Sequence, residues 1–385
     1  MTSAGFFLIL FPVVAGLYLF FHVVVIWGLI RLRKPVSEGK NILTHATIIL
    51  PVRNEEKNME ACLAGLVENE NPGQPEIIVA DDHSSDRTAE IVRKFIGLHP
   101  TLPVRLLLPA DHSPVGGSKK EAIAWAMKFA TGELILTTDA DTGRGSKWAR
   151  KILEFYEEKN PRMILGPVAF TGEDTFFSVL QSLEFMGLMG VTAGACRAGL
   201  PVLCNGANLA YEKQAFYETG GFSGNEATVS GDDMFLMIKI RKRYGASSIQ
   251  FLLSHDAVVT TGPASGFREF LHQRIRWASK SRKYRDPLVT SVALITWLLS
   301  FFLIAGCAAG IFNAVVLKIS LLILTVKILV EFYPVAFMAG FFHKSRMLWL
   351  YPVAAFLNIF YTVGIGIASL WAPFQWKGRK ISAVC

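Results

Sequence analysis

The chain has 385 residues, enough for one catalytic domain and several membrane spans, and only 18% of them are charged, against about 25% in an ordinary soluble domain. The shortage sits at the two ends, in apolar segments long enough to cross a bilayer, which excludes a uniformly soluble protein. The net charge of +8 gathers beside those segments, at Arg31, Arg33 and Lys34, from Arg274 to Arg285 and from Lys377 to Lys380. Such clusters mark cytoplasmic flanks, and the central region lacks the basic stripe with stacking aromatics that a nucleic-acid partner needs.

Phe6 to Ile30 is an apolar run without a formal charge. As a helix of about 25 residues it rises roughly 37 Å, more than a bilayer core of about 30 Å. It is too long for a signal peptide, lacks a basic n-region, and is succeeded by Arg31-Leu32-Arg33-Lys34 as a stop-transfer flank. The positive flank places the chain beyond it in the cytoplasm. The five cysteines, Cys62, Cys196, Cys204, Cys307 and Cys385, show neither close pairs nor metal spacing and read as reduced packing residues.

From residue 45 to 252 strand and helix patterns alternate. Ala46 to Leu50 reads as a strand ended by Pro51, Glu56 to Leu66 as a helix, and Ile77 to Ala80 as a buried strand. Arg87 to Ile96 is a helix that Ser85 or Asp86 can cap; Lys119 to Ala130 is another helix, and Leu134 to Thr138 another strand. Such alternation predicts an α/β fold with a mostly parallel, doubly wound sheet. Asp174 to Ala195 is apolar but holds Glu184 and several glycines, and is expected to lie on the bilayer surface. Three further apolar segments come after it, about Leu288–Ala314, Leu321–Phe342 and Leu348–Trp371. Three crossings from the cytoplasm would leave the basic tail outside, against the charge rule. The expected organisation is a membrane helix over 1–34, a cytoplasmic catalytic domain over 35–285 with interfacial helices, and a membrane region of about three helices over 286–385.

Ligands of open α/β sheets bind beyond the carboxyl ends of the strands, and two strands here run into acidic loops. Ile77-Ile78-Val79-Ala80 leads to Asp81-Asp82-His83-Ser84-Ser85-Asp86, and Leu134 to Thr138 leads to Asp139-Ala140-Asp141. Carboxylates crowded at one sheet edge call for a positive partner, and a diphosphate-bound Mg²⁺ or Mn²⁺ supplies one. A third acidic pair, Asp232-Asp233, precedes an apolar helical stretch. Asp232 there suits a helix N-cap, and either carboxylate suits a general base. Gln273-Arg274-Ile275-Arg276-Trp277 offers an arginine fork for phosphate and a flat ring for a sugar or base, or else an interfacial anchor.

An early aspartate, a D-x-D, a G-D-D and a Q-x-x-R-W in this order resemble the membrane-bound family-2 glycosyltransferases. These include the cellulose, chitin, hyaluronan and poly-N-acetylglucosamine synthases; the ceramide glucosyltransferases of a neighbouring family are similar. The resemblance covers about residues 45–285. It implies a GT-A catalytic domain, Rossmann-like, carried on transmembrane helices, and a nucleotide-diphosphate sugar as donor, a UDP-sugar in particular. It further implies that Pro51 and Glu55 belong to the loop cupping the nucleobase, and that Asp81 and Asp82 hold base and ribose. Lys119 or Lys120, after Gly116-Gly117-Ser118, is implied to reach the nucleotide. Asp139 and Asp141 match the metal-binding D-x-D, Asp233 beside Asp232 matches the catalytic base, and Asn205 and Asn208 line the acceptor side. Gln273, Arg276 and Trp277 match the Q-x-x-R-W. His83 stands where many relatives have Gly, and Ala124 where many have Asn. The function implied is inverting, metal-dependent sugar transfer to a lipid or lipid-linked acceptor at the membrane, the alternative being processive polysaccharide synthesis coupled to export.

Overall fold

The structure, a computed structural model, describes residues 3–33, 42–67, 74–108, 118–224, 231–280, 283–371, 374–376 and 379–381. They form two compact units. One comprises Arg33–Thr171 and Cys204–Gly262, the other Met1–Leu32, Gly172–Leu203 and Pro263–Cys385. The expected organisation runs in three consecutive blocks, whereas the compact units interleave: residues 172–203 and 263–285 belong with the terminal helices.

The first unit is built on a seven-stranded sheet. Its strands are β1 (Ala46–Val52), β2 (Glu76–Asp81), β3 (Val104–Leu107), β4 (Leu134–Thr137), β6 (Met163–Leu165), β8 (Leu209–Glu212) and β9 (Ile249–Phe251), in the order β3-β2-β1-β4-β8-β6-β9. Strands β3, β2, β1 and β4 are mutually parallel. β8 runs antiparallel to β4 and β6. A smaller sheet joins β5 (Gly143–Arg144), β10 (Val259–Thr261) and β7 (Val168–Phe170). The central strands β1, β2 and β4 are buried along their whole length, which is why they read as continuous apolar runs rather than alternating ones.

Strand β1 does not stop at Pro51 but continues to Val52. Val52 accepts from the Asp82 amide, at 2.8 Å. Its neighbour Pro51 therefore turns its nitrogen to the β4 side, where pairing ends at Ile49, so the missing N–H leaves no ladder bond unmade. The helices of this unit are α2 (Met59–Val67), α3 (Thr88–Leu98), α4 (Lys119–Phe129), α5 (Trp148–Lys159), α7 (Lys213–Glu218) and α8 (Asp232–Tyr244). Ser118 caps α4 by accepting from the Glu121 amide.

The second unit holds α1 (Ser3–Arg31), α6 (Phe176–Arg197), α9 (Phe267–Ala278), α10 (Pro287–Ala309), α11 (Ala314–Phe341) and α12 (Tyr351–Ala368), with a short hairpin of β11 (Phe374–Trp376) and β12 (Arg379–Ile381). Among the described residues four segments are long and apolar enough to cross a membrane: Ile9–Arg31, Phe176–Arg197, Pro287–Ala309 and Ser345–Ala368. Helix α6, expected to lie on the surface, is thus one of the four. Its glycines are the reason it packs among the others. A Cβ on Gly194 would stand 2.4 Å from the Val25 carbonyl oxygen, and one on Gly190 2.7 Å from that of Pro334. Small residues at such crossings let helix backbones approach. Inside α11, Lys327 donates to both oxygens of Glu331 at 2.7 Å, and the Tyr18 hydroxyl of α1 also donates to Glu331. Lys377 and Gly378 of the basic tail lie outside the described residues.

Candidate active site

Because β1, β2 and β4 are parallel neighbours, the segments after Val52, Asp81 and Thr137 emerge at one edge of the sheet. Strand β8 is antiparallel to β4, with Leu209 opposite Thr137, so its entry segment, Asn205 to Asn208, arrives at that same edge. The topology thereby gathers Glu55, Asp81, Asp82, Asp139, Asp141, Asn205 and Asn208 along one rim.

At the β1 and β2 ends, Glu55 is buried, with Asn58 Nδ2 donating to its Oε2 at 2.8 Å and its own amide donating to Thr88 Oγ1 at 2.8 Å. Asp81 accepts from the Ser84 amide at 3.1 Å and from Ser84 Oγ at 2.5 Å. Burial pushes its carboxyl above the usual range, Ser84 opposes the shift, and Asp82 adds to it. Arg53 Nη1 donates to the Asp82 carbonyl oxygen at 2.8 Å and lies 4.0 Å from Asp82 Oδ2. His83 has φ 57°, a left-handed conformation that glycine adopts without strain.

The D-x-D loop is braced by residues that sequence reading missed. Arg144 Nη1 donates to Thr138 Oγ1 and Thr142 Oγ1, each at 2.9 Å, and to the Asp139 carbonyl oxygen at 3.2 Å. Its Nη2 reaches Cys62 Sγ at 3.0 Å. Asp139 is half-buried and Asp141 exposed. Burial pushes the Cys62 thiol up; Arg144 opposes this, and the charges of Glu55 and Asp141 add to it. Both acids therefore lie within electrostatic reach of one buried thiol.

Lys119, the first residue of α4, draws the remaining acids together. Its Nζ donates to Asp139 Oδ1 at 2.6 Å. Burial alone would lower its proton affinity, but Asp139, Asp232 and Asp233 together hold it above the ordinary lysine range. Asp233 Oδ2 accepts from the Gly206 amide at 3.0 Å, and Oδ1 from the Met234 amide at 2.8 Å. A Cβ on Gly206 would stand 3.5 Å from Asp233 Cβ and 3.6 Å from Lys119 Nζ. Lys120, by contrast, is buried within the fold. Asp232 is not an N-cap: α8 begins at Asp232, and Gly231, at φ 94°, occupies the cap.

Two expected contact residues have structural surroundings instead. Asn208 is buried, donates through Nδ2 to Pro167 O and Ala257 O, each at 2.8 Å, and accepts from Trp148 Nε1 at 3.0 Å. Both of its amide protons are thus committed to the scaffold. Pro51 is buried inside β1. Gly116, Gly117 and Ser230 lie outside the described residues.

Gln273, Arg276 and Trp277 lie on α9 of the helical unit. Between them, Arg274 is buried and grips Glu184 of α6: Nε is 3.1 and 3.2 Å from the two carboxylate oxygens, and Nη2 is 2.6 Å from Oε2. The Tyr361 hydroxyl of α12 donates to Glu184 Oε1 at 2.7 Å. Glu184, read from sequence as a sign of an interfacial helix, is the partner of a buried arginine.

The structure is similar to that of a mannosyltransferase from Pyrobaculum calidifontis solved in complex with GDP-Man and Mn²⁺. The TM-score is 0.57 over 91% of this chain and 98% of that one, at 19% identity. The fold is that of the GT-A glycosyltransferases, as the motifs led one to expect. Residues 7–384 match Glycosyl transferase family 21, and the chain belongs to that family. It is also similar to an N-acetylglucosaminyltransferase of Rhizobium meliloti (strain 1021), at 25% identity over 252 residues, 63% of this chain and 56% of that protein. With the poly-beta-1,6-N-acetyl-D-glucosamine synthase of Staphylococcus epidermidis the identity is 24% over 351 residues, 86% and 80% of the two chains. The chain spans little more than half the length of the N-acetylglucosaminyltransferases it matches from Rhizobium meliloti and Rhizobium sp. (strain N33), 56% and 57%. The family-2-like glycosyltransferase read from the motifs is thus borne out as an enzyme class.

Proposed function

We propose that the protein transfers one sugar, with inversion, from a nucleotide-diphosphate sugar to a lipid or lipid-linked acceptor on the cytoplasmic face of a membrane. The observation that carries this reading is the gathering of the D-x-D and G-D-D acids about Lys119: Asp139 binds its ammonium at 2.6 Å, and Asp232 and Asp233 act on the same charge. A leaving diphosphate and an attacking hydroxyl need their groups within one such space.

In this reading Glu55, Asp81 and Asp82 hold the nucleoside. Among the described residues no three His, Cys, Asp or Glu side chains form a protein-only metal cage. A hard cation that also binds substrate phosphates needs only one or two carboxylates, so the donor set fits. With Asp139 engaged by Lys119, the exposed Asp141 is the direct ligand. A bound Mg²⁺ or Mn²⁺ would neutralise the departing diphosphate. Asp233, its carboxylate oriented by the Gly206 and Met234 amides, takes the acceptor proton. The acceptor oxygen bonds to the anomeric carbon from the face opposite the diphosphate, whose C–O bond breaks. The roles of Gln273, Arg276 and Trp277 in diphosphate and acceptor handling rest on their motif.

The test is to incubate the full chain in lipid nanodiscs with a panel of nucleotide sugars and Mn²⁺, and to weigh the lipid fraction by mass spectrometry. One donor should release nucleotide diphosphate and add a single sugar to a lipid; chelation should stop this, and Mn²⁺ or Mg²⁺ restore it. Release by no donor would overturn the transferase reading, and turnover indifferent to chelator would overturn the metal. A ladder of products would favour the second reading, processive synthesis, which the likeness to the S. epidermidis synthase over most of both chains supports.

A further inference from the structure

We infer that Arg274, with Glu184 and Tyr361 behind it, is the positioning residue that sets Gln273 and Trp277 for transfer; this rests on the proposed function. Motif reading passes over Arg274, because it fills a variable position of Q-x-x-R-W. In the structure it is the motif's most buried side chain, with 2% of its surface exposed, whereas Gln273, Arg276 and Trp277 are half-buried.

Arg274 touches two of the three signature side chains. Its Nη1 donates to Gln273 Oε1, and its guanidinium carbon stands 4.3 Å from the centre of the Trp277 ring. The same carbon stands 4.7 Å from the centre of the Phe270 ring, one turn back on α9. The rest of the fork is spent on Glu184, which Tyr361 holds in place from α12. Ile275 packs with Ile365 of α12, with Leu271, Ala278, Tyr361 and Ala368 around them. Helix α9 is therefore fixed to α6 by an ion pair and to α12 by apolar contact. The guanidinium joins these supports to the amide of Gln273 and the indole of Trp277. A planar, bidentate group is what such a junction needs, and an ammonium cannot replace it, because it offers neither the fork nor the stacking face.

A residue that positions α9 predicts a kinetic split that one serving stability alone does not. Arg274→Lys, Glu184→Gln and Tyr361→Phe are compared with wild type in lipid nanodiscs, per amount of folded protein. For the first two, kcat for transfer should fall about 10- to 100-fold, as expected when reacting groups are displaced by about 1 Å. Acceptor KM should rise more than donor KM, and slow donor hydrolysis by water, which needs no acceptor, should fall less than transfer. Tyr361→Phe keeps the ion pair and should show the same split at smaller size. If the first two variants do not fold, Tyr361→Phe decides, and wild-type kinetics there would overturn the proposal. Folded Arg274→Lys that transfers like wild type, or that loses donor KM and kcat together, overturns the positioning role alone. A wild type without turnover overturns the transferase reading and this proposal with it.

Discussion

Lys119 Nζ stands 2.6 Å from Asp139 Oδ1, so the first residue of α4 is tied to the acid that opens the D-x-D. That pair links the helix N-terminus to the β4 edge, and the charges of Asp232 and Asp233 bring the start of α8 to the same ammonium. An ammonium among three carboxylates offsets their mutual repulsion.

Lys119→Met should therefore destabilise the unit by about 1–3 kcal/mol, the cost of carboxylates left without their partner. The pH dependence has a definite sign. In wild type the lysine pKa is raised by folding, so its contribution is complete at neutral pH and is lost only in strong alkali, as pH rises through that raised value. In the variant that contribution is absent at every pH below strong alkali, so the gap in Tm between the two proteins should stay open from about pH 6 to pH 9, and Mn²⁺ should raise the variant's Tm more than that of wild type. Equal Tm values across this range, with no differential metal effect, would show that Lys119 does not compensate these acids.

Asp233→Asn is isosteric and keeps one oxygen, which serves the Gly206 amide or the Met234 amide but not both, and it removes the proton acceptor. Nucleotide-sugar binding should persist while kcat falls on the order of 10²- to 10⁴-fold. Calorimetric titration of the donor alongside nucleotide diphosphate release measures both quantities. Near-normal transfer by this variant would remove Asp233 from the role of base.

The strands that bear the acids were legible because each is a short apolar run breaking abruptly into charge: Ile77 to Ala80 before Asp81, and Leu134 to Thr138 before Asp139. Less legible was what antiparallel β8 contributes. Pattern alone carries no register, so only the motif resemblance pointed to Asn205 and Asn208 at the site, and nothing indicated that Gly206 would donate to Asp233. Asn208 looked like a contact residue because a polar side chain in a motif looks available; burial beneath Gly166, where a Cβ would meet its amide group within 2.4 Å, shows how it is spent. Helix α6 is a related case. Its Glu184 and glycines lower the apparent hydropathy, but the carboxylate is paired with Arg274 and Gly190 and Gly194 are helix crossings. Partners distant in sequence decide such cases, and a linear reading does not contain them.

The Lys327–Glu331 pair lies on α11, with Lys327 buried and Tyr18 of α1 donating to the same carboxylate. A buried ion pair often contributes little compared with apolar residues of equal volume, yet loss of one partner strands the other, at about 3–5 kcal/mol. Lys327→Met alone should lower Tm strongly, and Lys327→Met with Glu331→Leu should recover most of the loss. Thermal unfolding in detergent, monitored by size-exclusion fluorescence, makes the comparison. A double variant as unstable as the single one would give this cluster a role beyond pairing its own charges.

Gly28 and Gly194 mark where α1 crosses α6. A Cβ on Gly28 would lie 1.9 Å from the Gly194 carbonyl oxygen and 2.8 Å from its carbonyl carbon. Both are backbone atoms, so no rotamer relieves the clash, and one whole helix must move. Gly16, on the same helix, has nothing within 4 Å of its added Cβ. Gly16→Ala should therefore be neutral or slightly stabilising, since alanine loses less chain entropy than glycine on entering a helix. Gly28→Ala, with the same change in propensity, should instead cost about 1–3 kcal/mol as an overpacked contact. The pair separates packing from propensity, because only the crossing differs between the two sites. Equal Tm values for the two variants would mean that α1 and α6 do not approach each other through these glycines.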